Sequence, residues 1–218
     1  MKKSGNKSGN QFFSAVAAGL LGAMLLGCAV SLATAGTISM SDTQRGQFRE
    51  AFIFNGNPFP ATNFSGGNFL VVGSSLRRVS FLSFHLSAIT VPVTAAVLQL
   101  KVTDYFNANT GIPVLLPVTL YDYAGGDNAD LNVSQTGSAA QRMFDDLSSG
   151  DVYGTQVFDE LIIPGSSIVD ISLLAAAIAD IDAAGGLFSI GIAGDLTGQN
   201  DSFRAFKLTS HSLVLTTD

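Results

Sequence analysis

The chain has 218 residues, with 17 acidic against 11 basic side chains, one cysteine and two histidines. A single cysteine excludes an internal disulfide framework, and two histidines leave too few ligands for the usual zinc, iron or copper sites. The acidic balance disfavours nucleic acid and anionic lipid headgroups as partners.

The first 35 residues have the pattern of an export signal. Lys2, Lys3 and Lys7 supply positive charge, residues 12–32 are almost wholly apolar, and a small-x-small site ends at Ala35. This order predicts a signal peptide over residues 1–35 that is cleaved before Gly36. We therefore expect a secreted protein, extracellular or periplasmic.

The leader has two alternative interpretations. Residues 12–32 are long enough to span a bilayer as an uncleaved anchor. Residues 25–28 also resemble a lipobox, in which cleavage precedes a lipidated Cys28. The many Gly and Ala residues of the run, and its continuation beyond Cys28, favour cleavage at Ala35. The N-terminus is the only part through which we expect membrane contact.

Cleavage before Gly36 changes the composition of the remaining chain. It removes three lysines and no acid, so eight basic and seventeen acidic residues remain, a formal charge of −9. It also removes the cysteine, so packing must supply the stability. We expect residues 36–218 to form a single β domain.

Ten short segments have the alternation and turn boundaries of strands. In the segment 77–86 apolar residues lie on both faces, which predicts a central core strand. We expect it to pair antiparallel with 93–102, unless the chain crosses to a second sheet there. The pattern predicts a mainly β fold, an antiparallel β-sandwich or jelly roll. The other segments are 51–54, 69–73, 117–123, 154–158, 167–171, 187–193, 203–208 and 212–216.

One segment has helical periodicity. Residues 173–184 carry a face of Leu174, Ala177, Ile178 and Ile181, which predicts a helix that closes one end of the sandwich. We expect Ser172 to cap its start and Gly185 to end it in the left-handed conformation. Residues 55–68 and 124–138 are interpreted as loops, and 138–147 as a short helical turn.

Calcium is the one cofactor for which the sequence offers ligands. Asp127, Asn128 and Asp130 lie together in a Gly-rich loop, and hard oxygen ligands of this kind suit calcium. A second acidic group contains Asp145, Asp146 and Asp151. Neither has the twelve-residue EF-hand pattern, and solvated turns have the same composition.

Candidate ligand-binding and catalytic residues are few. Tyr121 and Tyr123, two apart on one predicted strand, form a candidate platform for a sugar ring, in a chain without tryptophan. His85 and His211 are the available bases, and both lie in strand-like sequence. We expect no catalytic residues.

Several further stretches carry a family resemblance: residues 41–42, 60–64, 69–73, 77–86, 95–100, 144–150, 152–154 and 173–191. Together they resemble bacterial secreted proteins that commonly end in a PEP-CTERM sorting signal. The resemblance implies an exported β-sandwich held at the cell surface or in extracellular matrix, and it supplies no active residues. The sequence stops at Asp218 without such a signal, so we expect no sorting by that route.

The leading functional hypothesis is a non-enzymatic secreted or cell-surface module of structural or interaction type. Extracellular polysaccharide and proteins of the envelope or matrix are its expected partners. The alternative is a carbohydrate-binding module, supported by calcium, that uses Tyr121, Tyr123 and the loop 127–130.

Intact-mass spectrometry of culture fractions tests the leader. We expect the protein in the medium to have the mass of a chain beginning at Gly36, because the small-x-small site follows the apolar run directly. Recovery of an acylated chain beginning at Cys28 from the membrane fraction would contradict this prediction.

Overall fold

The structure is a mainly β, antiparallel sandwich with two α-helices among its described residues. The computed structural model describes residues 36–65, 69–73, 78–87, 89–107, 115–159, 167–194 and 204–218. The helices are α1 (Ser138–Leu147) and α2 (Ala175–Ala183), and a 3₁₀ helix spans Asn128–Asn132. The strands are β1 (Gly36–Ser41), β2 (Gln44–Arg49), β3 (Phe52–Phe54), β4 (Asn57–Phe59), β5 (Thr62–Ser65), β6 (Phe69–Gly73), β7 (Arg78–His85), β8 (Val93–Asn107), β9 (Leu115–Tyr121), β10 (Val152–Asp159), β11 (Ser167–Ser172), β12 (Leu187–Gly194) and β13 (Arg204–Thr217).

Two sheets form the sandwich. The five-stranded sheet has the order β1-β13-β8-β11, and β6 pairs with the N-terminal part of β13. The six-stranded sheet has the order β10-β9-β12-β7-β2-β5. Strands β3 and β4 form a separate hairpin. Every pairing is antiparallel, which confirms the predicted fold class.

The main core lies between the two sheets. Strand β8 contributes Leu98, Leu100 and Val102, which are fully buried because alternate residues of a strand face the same side. The six-stranded sheet supplies the opposing side chains, including Leu82, Phe84, Leu116, Leu120, Ile190 and Ile192.

The six-stranded sheet is buried on its other face as well. Val79 and Phe81 alternate with Leu82 and Phe84 along β7, and they belong to a second apolar cluster. This confirms the prediction of a core strand with two apolar faces. Helix α1 covers the second face with Ala140, Met143, Phe144 and Leu147, the 3, 4, 7 spacing of one helical face.

Helix α2 packs on the main core, but its predicted ends are wrong. Ser172 is the last residue of β11, and Leu174 is the N-cap, with no side-chain capping bond. Leu174 is 51% exposed because the helix begins after it, whereas Ala177 and Ile181 are buried. The C-cap is Ala184 in an extended conformation, so no left-handed Gly185 is needed.

Several predicted strand relations also need correction. Strands β7 and β8 are not partners, because the chain crosses between sheets from one to the other. The predicted strands 203–208 and 212–216 form one long strand, β13, which is irregular near Leu208. The predicted loop 55–68 contains β4 and β5, and β1 and β2 were missed. The predicted turn at 138–147 is the complete helix α1.

Loop residues cover the outer edge of β5. Thr62 forms an isolated bridge with Thr136. The Asn63 side chain donates to the carbonyl of Val133 at 2.6 Å and accepts from the amide of Gln135 at 2.9 Å. This edge of the six-stranded sheet is therefore hydrogen-bonded by the chain itself.

No helix within the described ranges combines the length and the apolar character needed to cross a membrane.

Replacement of Gly191 by alanine tests the contact between α1 and β12. An added methyl group at Gly191 would overlap the carbonyl of Leu147, whose Cα would be 2.8 Å away. Because backbone cannot swing aside as a flexible side chain can, we expect Gly191→Ala to lower the free energy of unfolding by about 2–3 kcal/mol. Urea denaturation followed by circular dichroism measures the change.

Gly186→Ala is the matched control. The space around Gly186 is empty to 4 Å and its φ is not positive, so a methyl group fits. Equal stability of the Gly191→Ala and Gly186→Ala proteins would show that α1 does not approach β12 this closely.

Candidate functional site

The two tyrosines proposed as a platform occupy different environments. Tyr121 is the last residue of β9, opposite Val152 on β10 and Gly191 on β12, and is half-buried. Tyr123 lies beyond the strand and is only 8% exposed, within the cluster beneath α1. The expected exposed pair on one strand is therefore not formed, because the second ring fills the core. Sugar binding itself stays a prediction.

The hydroxyl of Tyr123 is buried without a hydrogen-bond partner among the described atoms. Burial raises its pKa to about 12, and the negative charges of Asp146, Asp130 and Asp127 act in the same direction. The hydroxyl is therefore protonated and neutral at physiological pH.

The calcium candidates lie at the start of the 3₁₀ helix, where the side chains of Asp127 and Asn128 bind the backbone. Asp127 is the N-cap, and its Oδ1 accepts from the amide of Ala129 at 2.9 Å. The side-chain amide of Asn128 donates to the carbonyl of Leu187 at 3.0 Å, and its own oxygen is buried without a partner. Asp130 is exposed.

The second acidic group has a similar structural use. Oδ2 of Asp146 accepts from the amides of Ala124 and Gly125, both at 3.0 Å. Asp145 accepts from the side chain of Gln141. In the described part of the chain, no three His, Cys, Asp or Glu side chains converge as metal ligands. Calcium binding stays a prediction.

The two histidines also differ. His85 is exposed, and its Nδ1 lies 2.8 Å from the hydroxyl of Ser87. His211 on β13 is buried, and its Nδ1 lies 3.0 Å from Oδ1 of Asp42, which connects β1 to β2. Arg45 contacts the other carboxylate oxygen of Asp42 at 3.2 Å. Asp42, Arg45 and His211 thus bridge the two sheets.

The charge of Asp42 is favoured by this arrangement. Burial alone raises the pKa of the carboxyl, but the hydrogen bond and charge of His211, together with Arg45, outweigh it and lower the pKa. Asp42 is therefore ionised at neutral pH, and its partners hold it in place.

A surface that we did not predict lies at the β3–β4 hairpin. In residues 52–59 the turn residues Asn55 and Gly56 separate the two strands, and both have positive φ, as a two-residue hairpin requires. Apolar groups remain at the surface: Ile53 is 76% exposed and Phe59 is 40% exposed. The signal was present in the sequence, since Asn-Gly between apolar runs is typical of a hairpin.

Five side chains near this hairpin form a row of alternating rings and guanidinium groups, which we name the Arg–Phe row: Phe59, Phe52, Arg49, Phe64 and Arg78. The rings of Phe52 and Phe59 stack at 4.9 Å with an interplanar angle of 6°. The guanidinium of Arg49 lies 4.7 Å from the centroid of Phe52 and 5.7 Å from that of Phe64. Arg78 lies 5.5 Å from the centroid of Phe64. Such distances are typical of cation–π contacts.

Three positions predicted in or next to the leader lie at or before the first described residue. Cys28 and Ala35 lie outside the described residues, and Gly36 is the first residue of β1. No family model and no curated protein matches this chain.

The Asp42→Asn variant tests the bridge between the sheets. We expect it to lower the free energy of unfolding at pH 7 by about 1–3 kcal/mol, because it removes the charge from a partly buried, charge-assisted hydrogen bond. The folded-state pKa of Asp42 is below its usual value, so the stabilisation is present above about pH 4. It is lost as the pH falls through the folded pKa.

Urea denaturation from pH 7 to pH 2.5 measures this difference. Asp170→Asn, at an exposed position on β11, is the control and should leave stability within about 0.5 kcal/mol of the parent. A difference between parent and Asp42→Asn that is the same at every pH would contradict the role given to the carboxylate charge.

Proposed function

We propose that this chain is a non-enzymatic, secreted or cell-surface β-sandwich module that acts by binding a partner in the envelope or extracellular matrix. The observation that carries the proposal is the apolar surface of the β3–β4 hairpin. Phe59 on the hairpin and Phe64 on β5 are 40% and 43% exposed, and they are connected through Phe52 and Arg49. Ile53, which is 76% exposed, projects from the other face of the hairpin. Exposed apolar side chains that cluster, instead of being scattered singly, commonly mark interaction sites.

The surroundings of the hairpin support an interaction role. The amide of Ala51 donates to the side chain of Gln141 on α1 at 2.8 Å, so the start of the hairpin is fastened to the packed helix. Phe52 and Phe59 stabilise each other by stacking. A surface held in this way loses little conformational entropy when it binds.

The polar groups of the acidic loops support the non-enzymatic part of the proposal. Asp127 and Asp146 accept hydrogen bonds from backbone amides. The buried His211 and the half-buried Asp42 contact each other across the two sheets. These contacts give each group a structural role.

Fractionation of cultures tests the proposal. We expect the parent protein to sediment with cells and matrix, and the Ile53→Asn variant to shift into the medium several-fold, because an amide cannot replace the apolar contact. Ile168→Asn, at a β11 position with 64% exposure, is the control and should fractionate like the parent. Equal matrix association of the parent and Ile53→Asn would overturn the hairpin as the interaction surface.

A further inference from the structure

We infer that the Arg–Phe row binds an acidic polysaccharide, that is, a linear glycan whose sugar units carry carboxylate or sulfate groups. The inference rests on the proposed function and names the partner class of the same surface. Its chemistry has two parts, fixed guanidinium groups for the anions and phenyl rings for the apolar faces of the sugars.

The charge of this region is opposite to that of the chain as a whole. Between residues 43 and 87 there are four arginines and one acidic residue, Glu50, whereas the complete chain has 17 acidic and 11 basic residues. Two of these arginines, Arg49 and Arg78, belong to the row. Charge interactions at a surface act over about 8 Å at physiological ionic strength. A ligand that contacts the ring of Phe64 therefore lies within this range of both guanidinium groups.

The two arginines of the row occupy paired positions on neighbouring strands. Arg49 on β2 is directly opposite Arg78 on β7, a pairing of like charges that by itself destabilises a sheet. Burial lowers the pKa of Arg78, and the charge of Arg49 lowers it further. An anion bound near the row would offset this pairing of like charges.

Arg49 has unused capacity for hydrogen bonds. Its Nε is buried and has no hydrogen-bond partner among the described atoms. The rings of Phe52 and Phe64 both contact its guanidinium and limit its freedom. A planar group held in this way presents its remaining N–H donors to a carboxylate or sulfate with little loss of entropy.

The rings supply the second part of the recognition. Phe59 and Phe64 are both partly exposed, at opposite sides of Arg49 along the row. Rings stack on flat, weakly polar surfaces. A row in which rings and guanidinium groups are interspersed fits a linear polymer in which apolar sugar faces and anionic groups recur.

The other linear polyanions fit less well. Affinity for nucleic acid depends on the number of phosphates that are neutralised, and two guanidinium groups on an acidic protein neutralise few. Insertion of the hairpin into an anionic membrane would remove the polar Asn55-Gly56 turn at its tip from water, which is unfavourable. A glycan can bind by contacting only the exposed side of the row.

The test measures binding of the purified full-length protein to beads that carry polygalacturonate, dextran or oligo-deoxythymidine. We expect binding to polygalacturonate alone, weakened by added salt. Arg49→Gln and Phe64→Ala should each weaken it about tenfold or more, because each removes one charge-assisted or stacking contact. Arg49→Lys keeps the charge without the planar fork and should also weaken binding.

Two control variants match the loss of charge in Arg49→Gln and the loss of apolar surface in Phe64→Ala. Lys101→Gln removes one exposed positive charge on β8, and Ile168→Ala removes an exposed apolar side chain on β11. Both should bind polygalacturonate like the parent. Circular dichroism checks that every variant is folded. If Arg49→Gln does not fold, the result for Arg49→Lys decides the role of Arg49.

Three results would overturn the inference: no binding of the parent to polygalacturonate, equal binding to dextran or to oligo-deoxythymidine, or parent-like binding by Arg49→Lys and Phe64→Ala. If one of these occurs while Ile53→Asn still releases the protein from the matrix, the hairpin remains the interaction surface. Its partner is then not an acidic glycan.

Discussion

The structure depends on the need to bury both faces of the six-stranded sheet. Along β7, Phe81 and Val79 point away from the main core, while Leu82 and Phe84 point into it. Apolar side chains on the second face must be shielded from water, and each large one contributes roughly 1.5–3 kcal/mol when buried. Two sheets alone cannot do this, so a third layer is required. Helix α1 and the 3₁₀ helix supply that layer, and the close approach of Leu147 to Gly191 shows how tightly α1 is seated.

The third layer explains the acidic loops. Short helices lying on a sheet leave unpaired amides in the segments that connect them, and aspartate side chains satisfy these amides. Asp146 binds two such amides from the end of α1, and Asp127 begins the 3₁₀ helix. The aspartates that attracted a calcium hypothesis thus have a structural use. Tyr123, which we predicted as part of a sugar-binding platform, packs in the apolar cluster beneath α1.

Alternation of apolar residues was sufficient to predict the fold class, because it reports only whether each face of a segment is buried. It located β6, β8, β11 and β12 well. It could not reveal that β7 and β8 belong to different sheets, since partner choice depends on packing across the whole molecule. Strands β4 and β5 were missed because Pro58, Pro60 and the short length weaken any local signal. The Arg–Phe row could not be found at all, as Arg49 and Arg78 become neighbours only when β2 pairs with β7.

The bridge from Thr62 to Thr136 and the bonds of Asn63 have a consequence for self-association. An unprotected sheet edge offers its amides and carbonyls to any extended chain, including another copy of the same protein. At the start of β5, the backbone amide of Asn63 and the carbonyl of Ala61 are already bonded from within the molecule. The first half of β5 is therefore less available for the addition of a strand from a second copy of the chain.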